Sequence, residues 1–576
     1  MKKGLFKGKS KRTKIFTVIT LVSVIGALAL NVLLYYFGIQ KTLFLDMTPE
    51  GLYSLSDAMK EECDEMFADI KAANTDEKGK KVKVLFCTDE DYLIASEKTR
   101  LTYFMALKLQ KRYSDIFEVD AENVVINPTA FAKYKTTSLS KINSNNVIVS
   151  YGDRHRIVSA DYFWATGTSD AQYYNGEYRI ASLIKSVTSI SKPVAYFLAE
   201  RGATFYNPDE KDSAMSKETE VFAALLAERG LDIKPLYLSQ VDRVPEDCAL
   251  LIINNPREDF TYDEDRLDEL SYVTDIEKLD RYLVMKQGAI AVAKDYEISL
   301  PVFETFLHEW GFDFSDSIVV DRESSLEDAE DTGTNLIAKY DTDEESYGYA
   351  LYGEYATLSS APLMVFSNSG SVGCSFKESL TMQEPGAGFV SRNYAPFLTT
   401  SDSAQRYMKN KTTGEITSYV DGPMGKYDLA AVSVRREIDS ISAVYSYSYL
   451  FCANSASFFS SELLGEVSFA NYDIVSAVVE NISRVDEYAS MDLGALSFNS
   501  ASSAGKFIIP TEMSEEDRII YSNKYVDNDV KKPRIVIKET SGISKAAIGV
   551  YTAVVMTVPV SVGILGAVIL IKRRFL

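Results

Sequence analysis

The sequence predicts an α/β protein: a smaller N-terminal α/β domain and a larger doubly wound one, both extracytoplasmic and flanked by two transmembrane helices. Three observations lead there. From residue 82 onward, apolar runs of strand length alternate with amphipathic runs of helix length, the pattern of a largely parallel sheet. Uncharged apolar runs occupy residues 15–39 and 546–571, each long enough to cross a bilayer. Lys and Arg crowd the outer flank of both runs, which holds both ends in the cytoplasm and sends the chain between them to the other side.

The basic tail, residues 1–14, precedes a 25-residue run that spans roughly 37 Å as a helix, against about 30 Å of hydrocarbon. Ala27-Leu28-Ala29 has the small-x-small form of a signal-peptidase site. The apolar stretch of a signal peptide is only about 7–15 residues long, however, so an uncleaved anchor is expected. The second run contains Pro559, tolerated inside a membrane helix, and closes on a cytoplasmic tail, residues 572–576, with Lys572, Arg573 and Arg574.

Close after the first run comes LDMTPEGLYSLSDAMKEE, residues 45–62. Pro49 and Gly51 punctuate a turn, Ser56 is placed to cap a helix, and Asp57 sits in the first turn, where the helix dipole favours an anion. VKVLFC (82–87) reads as a buried strand, residues 96–114 as a helix, and FEVDAENVVI as the next strand. NNVIVSYGDRHRIVSADYF reads as two strands turning at Gly152-Asp153, and residues 176–192 as a helix stopped by Pro193. These segments make up an N-terminal domain, 40–192. A fresh strand–helix series from PVAYFLAE to LPVFETFLHEWGF opens a second domain, 193–535, followed by a linker, 536–545. Gly230 is placed to supply a left-handed cap to the first helix of that series. Residues 321–345 hold ten carboxylates and read as a solvated loop; the D-x-D-x-D-G spacing of a calcium loop is absent. PLMVFS, KYDLAAVSV and SAVYSYSYLFCA read as later strands, and residues 472–482 as a helix.

Composition removes several classes of function. Of 576 residues, 46% are hydrophobic and 25% charged, the balance of a folded chain. Ten of the 61 Lys and Arg lie in the two tails and none of the 82 Asp and Glu do, so the body is strongly acidic and suits neither nucleic acid nor anionic lipid. Cys63, Cys87, Cys248, Cys374 and Cys452 are odd in number and lack C-x-x-C spacing, which fits buried apolar residues, with one disulfide left open. His155 and His308 are the only histidines, which limits triad and histidine–zinc chemistry. YLFCANS at Cys452 lacks the glycines of a nucleophile elbow. GLFKGKS (4–10) is one residue short of a phosphate loop and follows no strand, and SNSGSVGCS (367–375) reads as a plain loop. No catalytic residue, cofactor or metal site is expected.

A membrane run followed by D-x-T-x-x-x-x-Y-S-L-S and a helix resembles the N-terminal region of the GldG family, auxiliary components of ABC-type transport systems first associated with gliding motility. The motif residues are Asp46, Thr48, Tyr53, Ser54, Leu55 and Ser56. GEYRIASLIKSVTS, PVAYFLAERG, the long stretch from CALLIINNP to AIAVAKD, FLHEWGFDFSDSIVVD and FANYDIVSAVVENIS resemble the same family in the same order. The resemblance implies a glutamine-amidotransferase-like fold without a catalytic set, acting as a binding or assembly module beside a separate permease and ATPase in the cell membrane. Where many relatives carry G-H-G-E, this chain has Glu200-Arg201-Gly202-Ala203. The histidine and following acid are gone, while Glu200, Arg201 and Gly202 still form a candidate ligand loop at a strand's carboxyl end. Two rivals stand: a stand-alone cell-surface ligand binder or sensor, and an ectohydrolase working through His155 or His308.

Overall fold

A computed structural model describes residues 53–485 apart from 74–79, 136–139, 167–171, 175, 190–192, 262–271, 327–331, 344–345, 353–354, 356–361, 377–380, 384–389, 411–412, 414 and 439–444, and in addition 506–509 and 535–538. Both apolar runs expected to cross a membrane lie outside the described residues, as do Asp46 and Thr48. Among the described residues no helix is long and apolar enough to cross a membrane. The fold is mixed α/β, built on several sheets.

Helix α1 (Asp57–Ala73) starts as its sequence dictates: the Ser56 hydroxyl accepts the Met59 amide at 3.0 Å. The Ser56 amide itself donates to Glu177 Oε1 at 2.8 Å, a carboxylate that is buried. Met59, Cys63, Met66, Phe67 and Ile70 form one apolar stripe along α1. The stripe packs on a four-stranded sheet built from β1 (Val82–Phe86), β2 (Phe117–Ala121), β3 (Asn146–Tyr151) and β4 (Arg154–Ser159), in the order β2-β1-β3-β4. Strands β1 and β2 are parallel, joined by the crossover helices α2 (Glu90–Ala95) and α3 (Glu97–Arg112). Strands β3 and β4 form an antiparallel hairpin that turns at Gly152, whose φ of 61° favours glycine. A small sheet carries β5 (Trp164–Thr166) and β6 (Gln172–Tyr174), and helix α4 (Gly176–Thr188) supplies Glu177 and closes the core.

The second sheet begins with β7 (Val194–Leu198), reached on both sides by alternating helices and strands: α5 (Ala214–Glu218), α6 (Glu220–Glu228), β8 (Asp232–Leu236), β9 (Cys248–Asn254), α7 (Asp275–Met285), β10 (Ala289–Ala293) and α8 (Pro301–Glu309). Gly230 ends α6 with φ at 86°, as its position in the sequence predicts. Then come β11 (Phe312–Val320), β12 (Asn335–Ile337), β13 (Lys339–Tyr340), β14 (Val365–Ser367), β15 (Gly370–Cys374), β16 (Thr381–Gln383), β17 (Val390–Thr399), β18 (Gln405–Lys409), β19 (Ile416–Val420), β20 (Asp428–Ile438), β21 (Tyr445–Ala453) and helix α9 (Asn471–Ser483). Strands β22 (Lys506–Ile509) and β23 (Ile535–Lys538) return to the small sheet, where β22 pairs with β6. The last strand lies across the start of the expected linker.

The large sheet corrects the expectation of a largely parallel arrangement. Only β8-β7-β9-β10-β21 run parallel. From β20 outward, through β15, β11, β18 and β19 and through β17 with β13 and β16, every pairing is antiparallel. Parallel neighbours need a crossover of a dozen or more residues, usually a helix. Between α8 and α9 the described chain forms no α-helix longer than four residues, so strands there reverse through turns. Helices α6 and α9 cover one face of the parallel half through Phe222, Leu225, Leu226, Ile474 and Val478, while α7 and α8 cover the other through Leu279, Leu283, Phe303 and Phe306.

Two further readings are corrected. SNSGSVGCS is no loop: it holds the end of β14, the left-handed residue Asn368, and β15. The acidic stretch 321–345 is not simply solvated, since it supplies β12 and β13, and Asp321 is buried with its carboxylate accepting Ser401 Oγ at 2.6 Å, Ser403 Oγ at 2.7 Å and the Ser324 amide at 3.1 Å. Between the two main sheets, Arg156 donates from Nη1 to the Arg229 carbonyl at the end of α6, and Lys141 pairs with Asp473 on α9.

Replacing Glu177 with Ala strips the Ser56 amide of its charged acceptor, and such a bond contributes about 1.5–3 kcal/mol. Glu177→Ala is expected to lower the unfolding free energy by about 2–3 kcal/mol and to speed amide exchange in α1 while β9 and β10 stay protected. Exchange mass spectrometry that shows α1 unchanged removes the clamp.

Candidate functional site

The parallel half sets the place of the site. Its strands stand in the order second, first, third, fourth, fifth, where the fifth, β21, arrives only after the long antiparallel excursion. In such a sheet the chain leaves β7 toward one side and later continues from β9 on the other, so a crevice opens between their carboxyl ends, the usual ligand position. Glu200, Arg201 and Gly202 lie there, directly after β7.

Their backbone makes a tight turn: the Glu200 carbonyl accepts the Ala203 amide at 3.1 Å, with φ of 59° at Arg201 and 64° at Gly202. Both central residues are left-handed, as in a type I′ turn. A Cβ on Gly202 would come to 2.9 Å from Arg257 Cβ, so glycine is required by conformation and space alike. Arg201 holds the same conformation with a side chain present, at a cost of about 1–2 kcal/mol. The Arg201 carbonyl offsets that cost by accepting the amides of Arg257 and Glu258, at 2.8 and 2.9 Å, from the loop after β9.

The side chains then close the crevice on themselves. Arg201 Nη2 donates to Asp275 Oδ2 at 2.7 Å at the head of α7, and its guanidinium lies 5.8 Å from the centre of the Phe260 ring. Glu200 accepts the amide and hydroxyl of Ser239, at 3.1 and 2.6 Å. Asp259 caps α8 by accepting the amides of Val302 and Phe303 at 2.8 and 3.0 Å. Arg257 reaches Asp295 at 3.2 Å, and fully buried Lys294 pairs with Glu304 at 2.9 Å. A helix N-terminus in such a crevice is a ready anion site; here the protein's own Asp259 fills that of α8. What is left is hydrogen-bonding capacity: the side-chain oxygens of Asn254, Asn255 and Asn454 and Nε of Arg201 are buried with no protein partner among the described residues.

The other candidates are scattered. His155 on β4 contacts the Tyr134 carbonyl through Nε2 at 2.9 Å and packs edge-on against that ring. His308 is exposed on α8, beside a shallow depression that Glu304, Asp313 and Phe314 also line. Cys452 is buried inside β21, and burial pushes its thiol far above the ordinary range. Burial likewise pushes Cys87 and Cys248 up to about 12, and all five cysteines are free. Among the described residues no group of His, Cys, Asp and Glu is placed to hold a metal ion. Lys294, Asp259 and the Asn254-Asn255 pair escaped the sequence reading. Their signal was position alone: Lys294 and Asn254-Asn255 mark the carboxyl ends of apolar strands, and Asp259 lies in the loop after one.

The structure brings YSLS (residues 53–56) against the helix of GEYRIASLIKSVTS. Tyr53 meets Phe104 edge-on at 5.4 Å, Leu55 packs on the N-terminal core, and Ser56 is bound by Glu177 from the GEYRIASLIKSVTS helix.

No family model matches the sequence, and no curated protein matches it. A solved structure of the mmIFT52 N-terminal domain aligns at 15% identity over 50% of this chain and 96% of that one, with a TM-score of 0.32.

Arg201→Ala is expected to lower stability by about 2 kcal/mol, and a double-mutant cycle with Asp275→Ala to return a coupling of about 1 kcal/mol; additive urea midpoints would show that the pair does not close the crevice. With a disulfide-exchange thiol reagent at pH 8, the folded protein is expected to label at Cys374, which is only partly buried, and the other four cysteines to react only on unfolding. Fast native labelling of Cys452 would instead reveal an accessible nucleophile.

Proposed function

We propose that the protein is an auxiliary, non-enzymatic, membrane-anchored subunit of an ABC-type transport system, its body serving as a binding or assembly module beside a separate permease and ATPase. In this reading residues 15–39 and 546–571 cross the cell membrane, both termini are cytoplasmic, and the larger domain is an amidotransferase-like fold that has lost its chemistry. The observation that carries it is the clamp of Ser56 on Glu177. It ties the segment that follows the first apolar run in sequence into a buried core, which supports a folded body carried a short length of chain from that run, as an assembly partner of a permease requires. The crevice after β7, filled by the chain's own ion pairs, agrees with a role in assembly. The unpartnered oxygens of Asn254, Asn255 and Asn454 favour the second reading, a surface ligand binder.

Purification of the full-length protein from its own membranes in mild detergent is expected to bring one ABC ATPase and its permease in fixed ratio. Replacing both apolar runs with unrelated membrane spans is expected to break that association. Recovery of the chain alone in several detergents would overturn the transport reading and leave the ligand binder.

A further inference from the structure

We propose that the turn over residues 122–127 is a docking knob for a partner protein whose apolar pocket is rimmed by Lys and Arg. The knob lies in the N-terminal domain, away from the β7 crevice, and goes beyond the transport reading.

Val125 and Ile126 are the most exposed of the large apolar side chains among the described residues, at 79% and 77%. They do not sit on a loose loop. Val124 is buried among Leu85, Cys87 and Phe131 and anchors the turn from below. Asn123 Oδ1 accepts the amides of Val125 at 3.0 Å and Ile126 at 3.3 Å, and the Asn123 carbonyl accepts those of Ile126 and Asn127 at 3.2 and 2.9 Å. Asn123 Nδ2 donates to Asp89 at 2.5 Å, and Asn127 Nδ2 to Glu122 at 3.1 Å. The next residue, Pro128, starts a 3₁₀ turn. Backbone and side chains thus hold two β-branched residues outward in one conformation, with little rotamer freedom left to lose on docking. Scattered exposed apolar residues are ordinary; these two are adjacent and held outward on one hydrogen-bonded turn.

Charge selects the occupant. Asp89, Glu90 and Asp91 are exposed beside the knob, where Asp89 is tied to it through Asn123, and Glu122 flanks it from the other side. Tyr92, on α2, is exposed as well. A one-sign acidic rim repels an anionic lipid surface and repels a second copy of the same face, and it matches a basic rim on a different protein.

The test uses the full-length protein in its own membranes with a photo-crosslinking p-benzoylphenylalanine in place of Ile126, and in a control in place of Val467, which is 73% exposed elsewhere. The proposal expects one protein adduct from position 126, absent from 467, whose crosslinked peptide is an apolar segment bordered by Lys or Arg. Its yield should fall at least tenfold with Val125→Asp and at least threefold with the pair Glu90→Lys and Asp91→Lys, in proteins whose melting temperature is unchanged. A self-adduct, a lipid adduct, no adduct, an adduct to an acidic or wholly polar segment, or a yield indifferent to those substitutions overturns it. If the partner is neither a permease nor an ATPase, the knob stands and the transport reading rests on its own purification test.

Discussion

The nine-pair ladder between β20 and β21, from Ala430 opposite Ala453 to Ile438 opposite Tyr445, is the joint on which the larger part of the molecule depends. On one side of it strands run parallel and need helices to reconnect them; on the other they run antiparallel and need only turns. β21 serves both sides at once, parallel to β10 and antiparallel to β20. Its residues alternate between the two cores: Phe451 and Ala453 face α6 and α9, whereas Leu450 and Cys452 face α7 and α8. This double duty also explains the thiol of Cys452. A side chain in the middle of a two-faced strand is packed on every side, and no solvent is left to stabilise a thiolate.

The carboxyl edge of the parallel half is held together by charged groups from neighbouring loops. Loops after neighbouring strands bring two arginines, a lysine and three acids to one rim, where two helix N-termini also lie. Here each meets a partner from the neighbouring loop, so the rim acts as a seam that fixes α7 and α8 against the sheet. Lys294 is the extreme case: with no exposed surface, it depends on Glu304, the Asp295 carbonyl and the face of Phe314 for its solvation.

Much of this was legible in the sequence. The strands of the parallel half are runs buried on both faces, so VAYFL, CALLIIN and AIAVA announce themselves without any periodicity to decode. The Glu200 turn was legible as a ligand-edge position, because a strand's end can be read from the same run. Its closure was not, because Asp275 lies 74 residues beyond Arg201 and only the fold brings them together. The antiparallel half was misread for a different reason. β15 is GSVGC, poor in strand formers, and it is a strand because Gly370 leaves room for Asn454 and Tyr296, an accommodation invisible in one dimension. Asp321 misled in the same way: a carboxylate among carboxylates reads as solvated until Ser401 and Ser403 arrive from 80 and 82 residues away.

The pairing of β22 with β6 has a mechanical consequence. Because β22 and β23 rejoin a sheet that already contains β5 and β6, the described chain starts and finishes in the same body, and the larger sheet hangs from it as a side branch. Tension applied between residue 53 and residue 538 would load the β22–β23 ladder and then the β6–β22 ladder before the larger sheet. The thirteen-stranded sheet and its seam of ion pairs would carry none of that load until those ladders gave way.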